Sequence, residues 1–251
     1  GLALEGKKVF TYSIANFPTI RCLEQIRNDV CYHNLDVNIV SIGGGFSYGS
    51  LGMTHHATED LAIMRTLPNL DIFSPSGLWE VDQATKSLSQ SNGPGFLRLD
   101  KSFGQDYVAE NEEFEVGKGR ILSKGMDCSI ILTGGILEEA ELAKNTLEKN
   151  NISTQIISMH TIKPLDDSLI IKTINSSKLV VTLEEHTIIG GLGSAVCEVI
   201  VDNQLQKKPF IRIGLESGFT NIVGSQKYLR AHYKMDSNAI VNRILKHFGK
   251  I

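Results

Sequence analysis

The sequence predicts an α/β protein of two consecutive domains, each a mainly parallel sheet flanked by helices. Three observations predict it. Short β-branched and apolar runs alternate with helix-period stripes over residues 9–99. The alternation lapses over 101–126, where charged residues and glycines dominate, among them Glu110, Glu112, Glu113, Gly117 and Gly119. A second alternating block then runs to the C-terminal end. The expected divisions are 1–101, a connection over 102–126, and 127–251.

Each element has its own signal. Val9, Phe10, Thr11, Tyr12 and Ser13 form a β-branched and aromatic run, hence a strand. Ile20, Leu23, Ile26, Arg27 and Val30 recur at helical spacing. Residues 37–42 read as a second strand, 58–65 as a helix, 70–74 as a strand, 79–90 as a helix and 95–99 as a strand. One short strand is expected near 120–122. Strands follow at 129–133, 154–159, 179–183 and 210–213. Leu137, Ala140, Ala143 and Leu147 stripe one helix, 193–203 forms another, and Ile240, Val241, Ile244, Leu245 and Phe248 stripe a closing one.

Composition narrows the function classes. The chain has 251 residues, 25 Lys and Arg against 28 Asp and Glu, and a net charge of -3. No basic excess argues for nucleic acid. No apolar run reaches the ~18 residues of a membrane span, and no secretory signal opens the chain. The cysteines Cys22, Cys31, Cys128 and Cys197 are scattered. That pattern suits reduced thiols in a cytoplasmic protein rather than a zinc site. Gly1 to Lys8 read as the last turn of a helix stopped at Gly6, and so short a piece implies an upstream segment.

The densest stretch for function is residues 43–56, which run from Gly43, Gly44 and Gly45 to Thr54, His55 and His56. Glycine lets a backbone take positive φ and approach a ligand closely. Thr54 is placed to cap the next helix, with Glu59 and Asp60 early in it. Two histidines would then stand at a helix start. A second glycine run, 190–193, also follows a strand. Both runs belong at the carboxyl ends of strands, where α/β sheets gather ligands.

The run from Thr54 to Arg65, THHATEDLAIMR, with Pro68-Asn69 after it, resembles thiamine-diphosphate-dependent transketolases and deoxyxylulose-phosphate synthases. Ile162-Lys163-Pro164-Leu165-Asp166, Glu184-Glu185-His186 and Gly190-Gly191-Leu192-Gly193-Ser194 resemble the transketolase C-terminal domain. The resemblance covers essentially the whole chain and implies a pyrimidine-binding domain followed by a C-terminal domain. The family holds the cofactor diphosphate through a metal, Mg2+ or Ca2+, on a Gly-Asp-Gly motif, and this chain has no Gly-Asp pair. The resemblance therefore implies a diphosphate-binding partner subunit or domain, in a dimer or an α2β2 heterotetramer. The family glutamate that protonates the aminopyrimidine would lie upstream of Gly1.

Roles carry over residue by residue. Phe17 stands where the family stacks an aromatic on the pyrimidine, with Ile14 and Ile20 as apolar walls and Arg21 at a position where the synthases carry arginine. His55 matches a catalytic histidine beside the thiazolium C2 and the substrate carbonyl, a task suited to imidazole. His56 stands where the family often carries Gln or His, and is a substrate-site candidate one layer behind His55. Lys101 falls where a family arginine grips the substrate phosphate, and lysine does so as a point charge without the bidentate fork. Arg98 and the cluster of Glu184, Glu185 and His186 read as structural.

Two departures concern specificity. Leu51 replaces an acidic residue that reads a sugar hydroxyl, and Gly43 to Gly45 replace a phosphate-facing histidine or arginine. Each lost polar contact weakens binding by roughly 1–3 kcal/mol. The resemblance thus implies two-carbon ketol or acyl transfer to an atypical sugar acceptor. The alternatives are the β component of a 2-oxo acid dehydrogenase and a non-catalytic scaffold.

Overall fold

The computed structural model describes residues 1–101, 106 and 108–250. The start of the expected connection, 102–105 and 107, lies outside the described residues.

The first sheet has the order β1-β2-β4-β3-β8, where β8 is Thr161–Lys163. Strands β1 (Val9–Ile14), β2 (Val37–Ile42), β3 (Asp71–Phe73) and β4 (Gly95–Leu99) run parallel. Their crossovers carry α1 (Leu23–Gln25), α2 (Asp60–Arg65) and α3 (Leu78–Gln90). The helix read from Ile20 onward changes pitch along its length. It is a 3-10 turn at Ile20–Cys22, α at Leu23–Gln25 and π at Ile26–Cys31. All four parallel strands end at one edge, and the residue 15–19 loop, the glycine-histidine loop and Lys101 follow from it.

The second sheet has the order β10-β9-β6-β7-β5. It comprises β5 (Arg120–Ser123), β6 (Cys128–Thr133), β7 (Thr154–Ser158), β9 (Leu179–Thr187) and β10 (Phe210–Leu215). Only β5 runs antiparallel, so this sheet begins inside the stretch read as a connection. Around it stand α4 (Leu137–Lys149), α5 (Asp167–Ser176), α6 (Leu192–Asp202), α7 (Gln226–His232) and α8 (Ser237–His247).

The two halves are stitched together. Strand β8 (Thr161–Lys163) comes from the second half but pairs antiparallel with β3 of the first sheet. One apolar cluster unites Leu61, Met64, Ile72 and Phe96 with Ile131, Ile157, Val180, Leu192 and Val196. The sequence reading did not contain β8, α5 or α7. The α5 signal is visible in hindsight: Asp166 accepts from the backbone N–H of Leu169 at the helix start.

The Gly6 stop is a Schellman turn, with Gly6 at φ +76°. Lys7 N–H reaches the Leu2 carbonyl, and Gly6 N–H reaches that of Ala3, both at 3.0 Å.

The expected capping by Thr54 needs correction. Helix α2 starts at Asp60 after Glu59, with no side-chain cap. Gly45 and Ala57 form a two-way backbone bridge, with N–H to O distances of 2.8 and 3.0 Å. That bridge keeps the chain extended at Ala57, so the histidines lie in a turn ahead of the helix.

Candidate cofactor and substrate site

The site grows from the carboxyl ends of β1 and β2. Past β1 the chain turns, and Asn16 ties this turn to the histidine loop. Its amide donates to the carbonyl of His56 at 2.6 Å and, more weakly, to that of Thr54 at 3.4 Å. Phe17 is thereby held beside His55, with ring centroids 5.3 Å apart and planes at 65°. Such edge-to-face pairs orient both rings. The Arg21 guanidinium lies over the Phe17 ring, 4.2 Å from its centroid.

On the other side of His55 stands Tyr48, at 6.4 Å between centroids. The Lys101 ammonium sits over the Tyr48 ring, 3.6 Å from its centroid. The result is a line of five side chains: Arg21, Phe17, His55, Tyr48 and Lys101. The Thr54 hydroxyl lies 3.0 Å from His55 Nδ1. When that hydroxyl donates to Nδ1, Nε2 carries the proton and remains a donor.

Two hollows flank Phe17. One, of about 370 Å³, is lined by Tyr12, Pro18, Ile26, Val30, Val37 and Ile39 together with Phe17. The other, of about 330 Å³, brings Ile20, Arg21, Met53 and Thr54 against Phe17, with Phe219 and Thr220 from the second half. The expected residues Phe17, Ile20, Arg21 and His55 thus converge. Ile14 does not join them; it ends β1 in register with Ile42. Leu51 ends a 3-10 turn, Gly49–Leu51, and is 53% exposed, so it stands at the surface beside the site.

His56 lies behind His55 rather than in the hollow itself. It is buried, with Nδ1 2.6 Å from the Thr220 hydroxyl and Nε2 3.0 Å from the Gly49 carbonyl. A carbonyl only accepts, so Nε2 donates, and the Thr220 hydroxyl donates to Nδ1. Both ring nitrogens are engaged within the chain, and His56 braces the loop that presents His55. Asn16 and Thr220 were absent from the sequence reading, and Tyr48 lay in the glycine-histidine stretch with no role given to it. Thr220 lies 164 residues from its partner and carries no local signal.

The glycines also need a revised explanation. A Cβ on Gly44 would meet Asp100 Oδ1 at 2.1 Å and Arg98 Cζ at 2.5 Å. One on Gly45, at φ +58°, would meet Glu185 Oε1 at 2.4 Å. These two glycines make room for a buried ion network, not for a substrate. Only Gly43 faces the site, where a Cβ would strike the Tyr48 ring at 2.1 Å.

That network joins the halves. Arg98 donates to Asp60 at 3.0 Å and Asp100 at 3.4 Å, and to the carbonyls of Ala57 and Glu185. Burial works against its charge, but Asp100, Asp60 and Glu185 outweigh burial and hold its pKa above the ordinary value. Glu185 in turn pairs with Arg230 and accepts from Gln226 and the Phe46 N–H. Glu184 accepts from the N–H groups of Leu192 and Gly193 at the start of α6. His186 lies between Glu184 and Asp60, at 3.7 and 3.9 Å. The cluster from Glu184 to His186 is structural, as its motif context suggested.

The pyrimidine-binding domain model of transketolase matches residues 1–105. The transketolase C-terminal domain model matches 117–240. The chain belongs to the transketolase family. Over its full length it is 40% identical to a protein of Methanocaldococcus jannaschii provisionally described as a transketolase C-terminal section, covering 78% of that protein. It is also 34% identical, again over its full length, to one of the subunits of the apulose-4-phosphate transketolase of Phocaeicola vulgatus, covering 79% of that polypeptide. A solved split-gene transketolase, an inactive β4 tetramer, superposes with a TM-score of 0.88 at 32% identity, over 98% of this chain and 78% of that one.

Against thiamine diphosphate, the cofactor on which transketolases depend, the residues present fit the heterocyclic end. Phe17 offers a half-exposed ring beside an apolar hollow. Among the described residues no group of three His, Cys, Asp or Glu side chains is arranged to hold a metal ion. Among the same residues no helix is long and apolar enough to cross a membrane.

Proposed function

We propose that this chain is the pyrimidine-binding and C-terminal subunit of a split transketolase, active only with a second polypeptide that binds the diphosphate and metal. The reaction is transfer of a two-carbon ketol or acyl unit from a ketose or 2-oxo donor to an aldehyde or ketone acceptor. The observation that carries this reading is the convergence of Phe17 and His55 at the carboxyl edge of the first sheet, 5.3 Å apart. Bound thiamine diphosphate supplies the carbon-carbon chemistry. Phe17 orients the heterocycle by stacking. His55 stands beside the reacting carbonyl and holds or moves a proton through Nε2. His56 and Thr220 fix the loop so that His55 is positioned before substrate arrives.

Leu51 supports an atypical acceptor, because its side chain cannot accept a hydrogen bond from a sugar hydroxyl. The relative named for apulose 4-phosphate supports an atypical sugar among the substrates, without assigning it as donor or acceptor. The test is co-purification with a neighbouring gene product that carries a Gly-Asp-Gly motif and a later Asn, in the presence of thiamine diphosphate and Mg2+. Titration calorimetry and a donor and acceptor screen follow. The reading expects saturable cofactor binding by the pair and turnover lost on His55→Ala. A pair that forms but binds no cofactor makes the chain a non-catalytic scaffold.

A further inference from the structure

Gly43 and Tyr48 occupy one volume between them. Gly43 has φ +97°, and a Cβ there would lie 2.1 Å from Tyr48 Cε2 and 2.3 Å from Cδ2. No side chain at position 43 coexists with the tyrosine ring in this place. The ring then faces Lys101, whose ammonium sits 3.6 Å from its centroid, and stands at 60° to the His55 ring, 6.4 Å between centroids. Lys101 is exposed and pairs with no carboxylate among the described residues. Its position is set instead by the tyrosine face and by its backbone N–H, which donates to the Ser47 hydroxyl at 3.3 Å. The Tyr48 hydroxyl likewise meets no polar partner among the described residues.

A cation held over a ring keeps its N–H groups free for an anion, which a salt bridge would consume. We propose that Tyr48 is a specificity-determining residue of this site, holding Lys101 for the phosphate of an acceptor whose carbonyl lies at His55. The tyrosine fills the room of the side chain that Gly43 lacks and supports the cation at position 101 from its ring face. A flexible lysine left unheld would lose more rotamer entropy on gripping the phosphate. This inference rests on the proposed function.

The experiment uses the reconstituted pair with thiamine diphosphate, Mg2+ and two matched probes, glycolaldehyde phosphate and glycolaldehyde. Tyr48→Leu is expected to lower the ratio of kcat/KM for the phosphorylated over the unphosphorylated probe by about three- to tenfold. Tyr48→Phe, which keeps the ring, is expected to restore the ratio. A merely structural role would lower both kcat/KM values together and leave the ratio unmoved, and that result overturns the proposal. A parallel titration of the chain alone with inorganic phosphate reads the Lys101 side-chain amine by NMR. Tyr48→Leu is expected to weaken this binding by a similar factor. If the wild-type pair binds no thiamine diphosphate, the proposed function fails. The phosphate titration then still decides the Tyr48 assignment, which an unchanged affinity would overturn.

Discussion

The Phe17 ring meets the His55 imidazole edge to face, 5.3 Å between centroids and 65° between planes. The two residues stand 38 positions apart, on loops that leave adjacent parallel strands. His55 is half-exposed, and its side chain has one hydrogen-bonding neighbour among the described residues, the Thr54 hydroxyl. His55→Ala should therefore lower kcat/KM of the reconstituted enzyme by about 10²- to 10⁴-fold. The melting temperature should shift little, since surface-type truncations stay within about 0.5 kcal/mol. Kinetics and thermal melts on the same preparation check both halves of this expectation.

Arg98 is the opposite case, a buried side chain whose partners all lie within the chain. It is 1% exposed and serves Asp60 and Asp100, which are themselves buried. Arg98→Met strands both carboxylates and should cost about 3–5 kcal/mol, a fall on the order of 10 °C in Tm for a chain of this size. Lys86→Ala removes the exposed pair with Asp82 and should cost no more than about 0.5 kcal/mol. Comparable effects of the two substitutions in urea unfolding would show that the buried network does not hold the halves together.

Two glycines separate packing from backbone strain. Gly44→Ala places a methyl 2.1 Å from Asp100 Oδ1, inside the network. It should lower stability by about 1–3 kcal/mol or more, as overpacking does. Gly6→Ala meets nothing within 4 Å but must keep φ +76°. It should cost about 1–2 kcal/mol, through the left-handed conformation alone. Lowered urea midpoints for both, with broadened NMR signals from the domain contact only for Gly44→Ala, are the expected pattern.

Burial gives His186 and Glu184 opposite pH behaviour. His186 is pushed down to about 4 by burial, against the pull of Asp60. In the unfolded chain it titrates near 6.5, so the folded state holds fewer protons between these values. Its contribution is present above pH 6.5 and is lost as pH falls toward 4. Glu184 is pushed up to about 7 by burial, despite the N–H groups of Gly193 and Leu192. Its contribution is fully present below pH 4.5 and is lost as pH rises through 7. Over pH 4.5–6.5 the two contributions oppose each other. His186→Gln should therefore make the protein gain stability on acidification relative to wild type. Glu184→Gln should make it lose more. Urea midpoints across pH 4–7.5 measure both slopes.

Thr220→Val leaves His56 Nδ1 buried without its donor. The expected loss is about 1–3 kcal/mol, together with faster hydrogen exchange at the His55 and His56 amides. Unchanged exchange at these amides would show that Thr220 does not brace the loop.

Local sequence carried the frame of this protein. The strands over 37–42 and 95–99 stand where their β-branched and apolar runs placed them. Phe17 and His55 were legible as site residues through the family resemblance of the motifs around them, and patterning alone placed only the glycine-histidine loop at the carboxyl end of a strand. Short elements escaped, such as β8, whose three residues pair with a strand some 90 positions away. Only the tertiary structure decided what the glycine-histidine loop is for. Gly44 and Gly45 yield space to Arg98, Asp100 and Glu185, His56 turns inward to Thr220, and Tyr48 takes the room beside Gly43. These outcomes depend on excluded volume and on satisfying buried polar groups between distant segments. Apart from Gly43 and Tyr48, which share one loop, the partners of these contacts lie far apart in the chain, so the sequence marked the loop as a site and the packed fold divided its residues between chemistry and support.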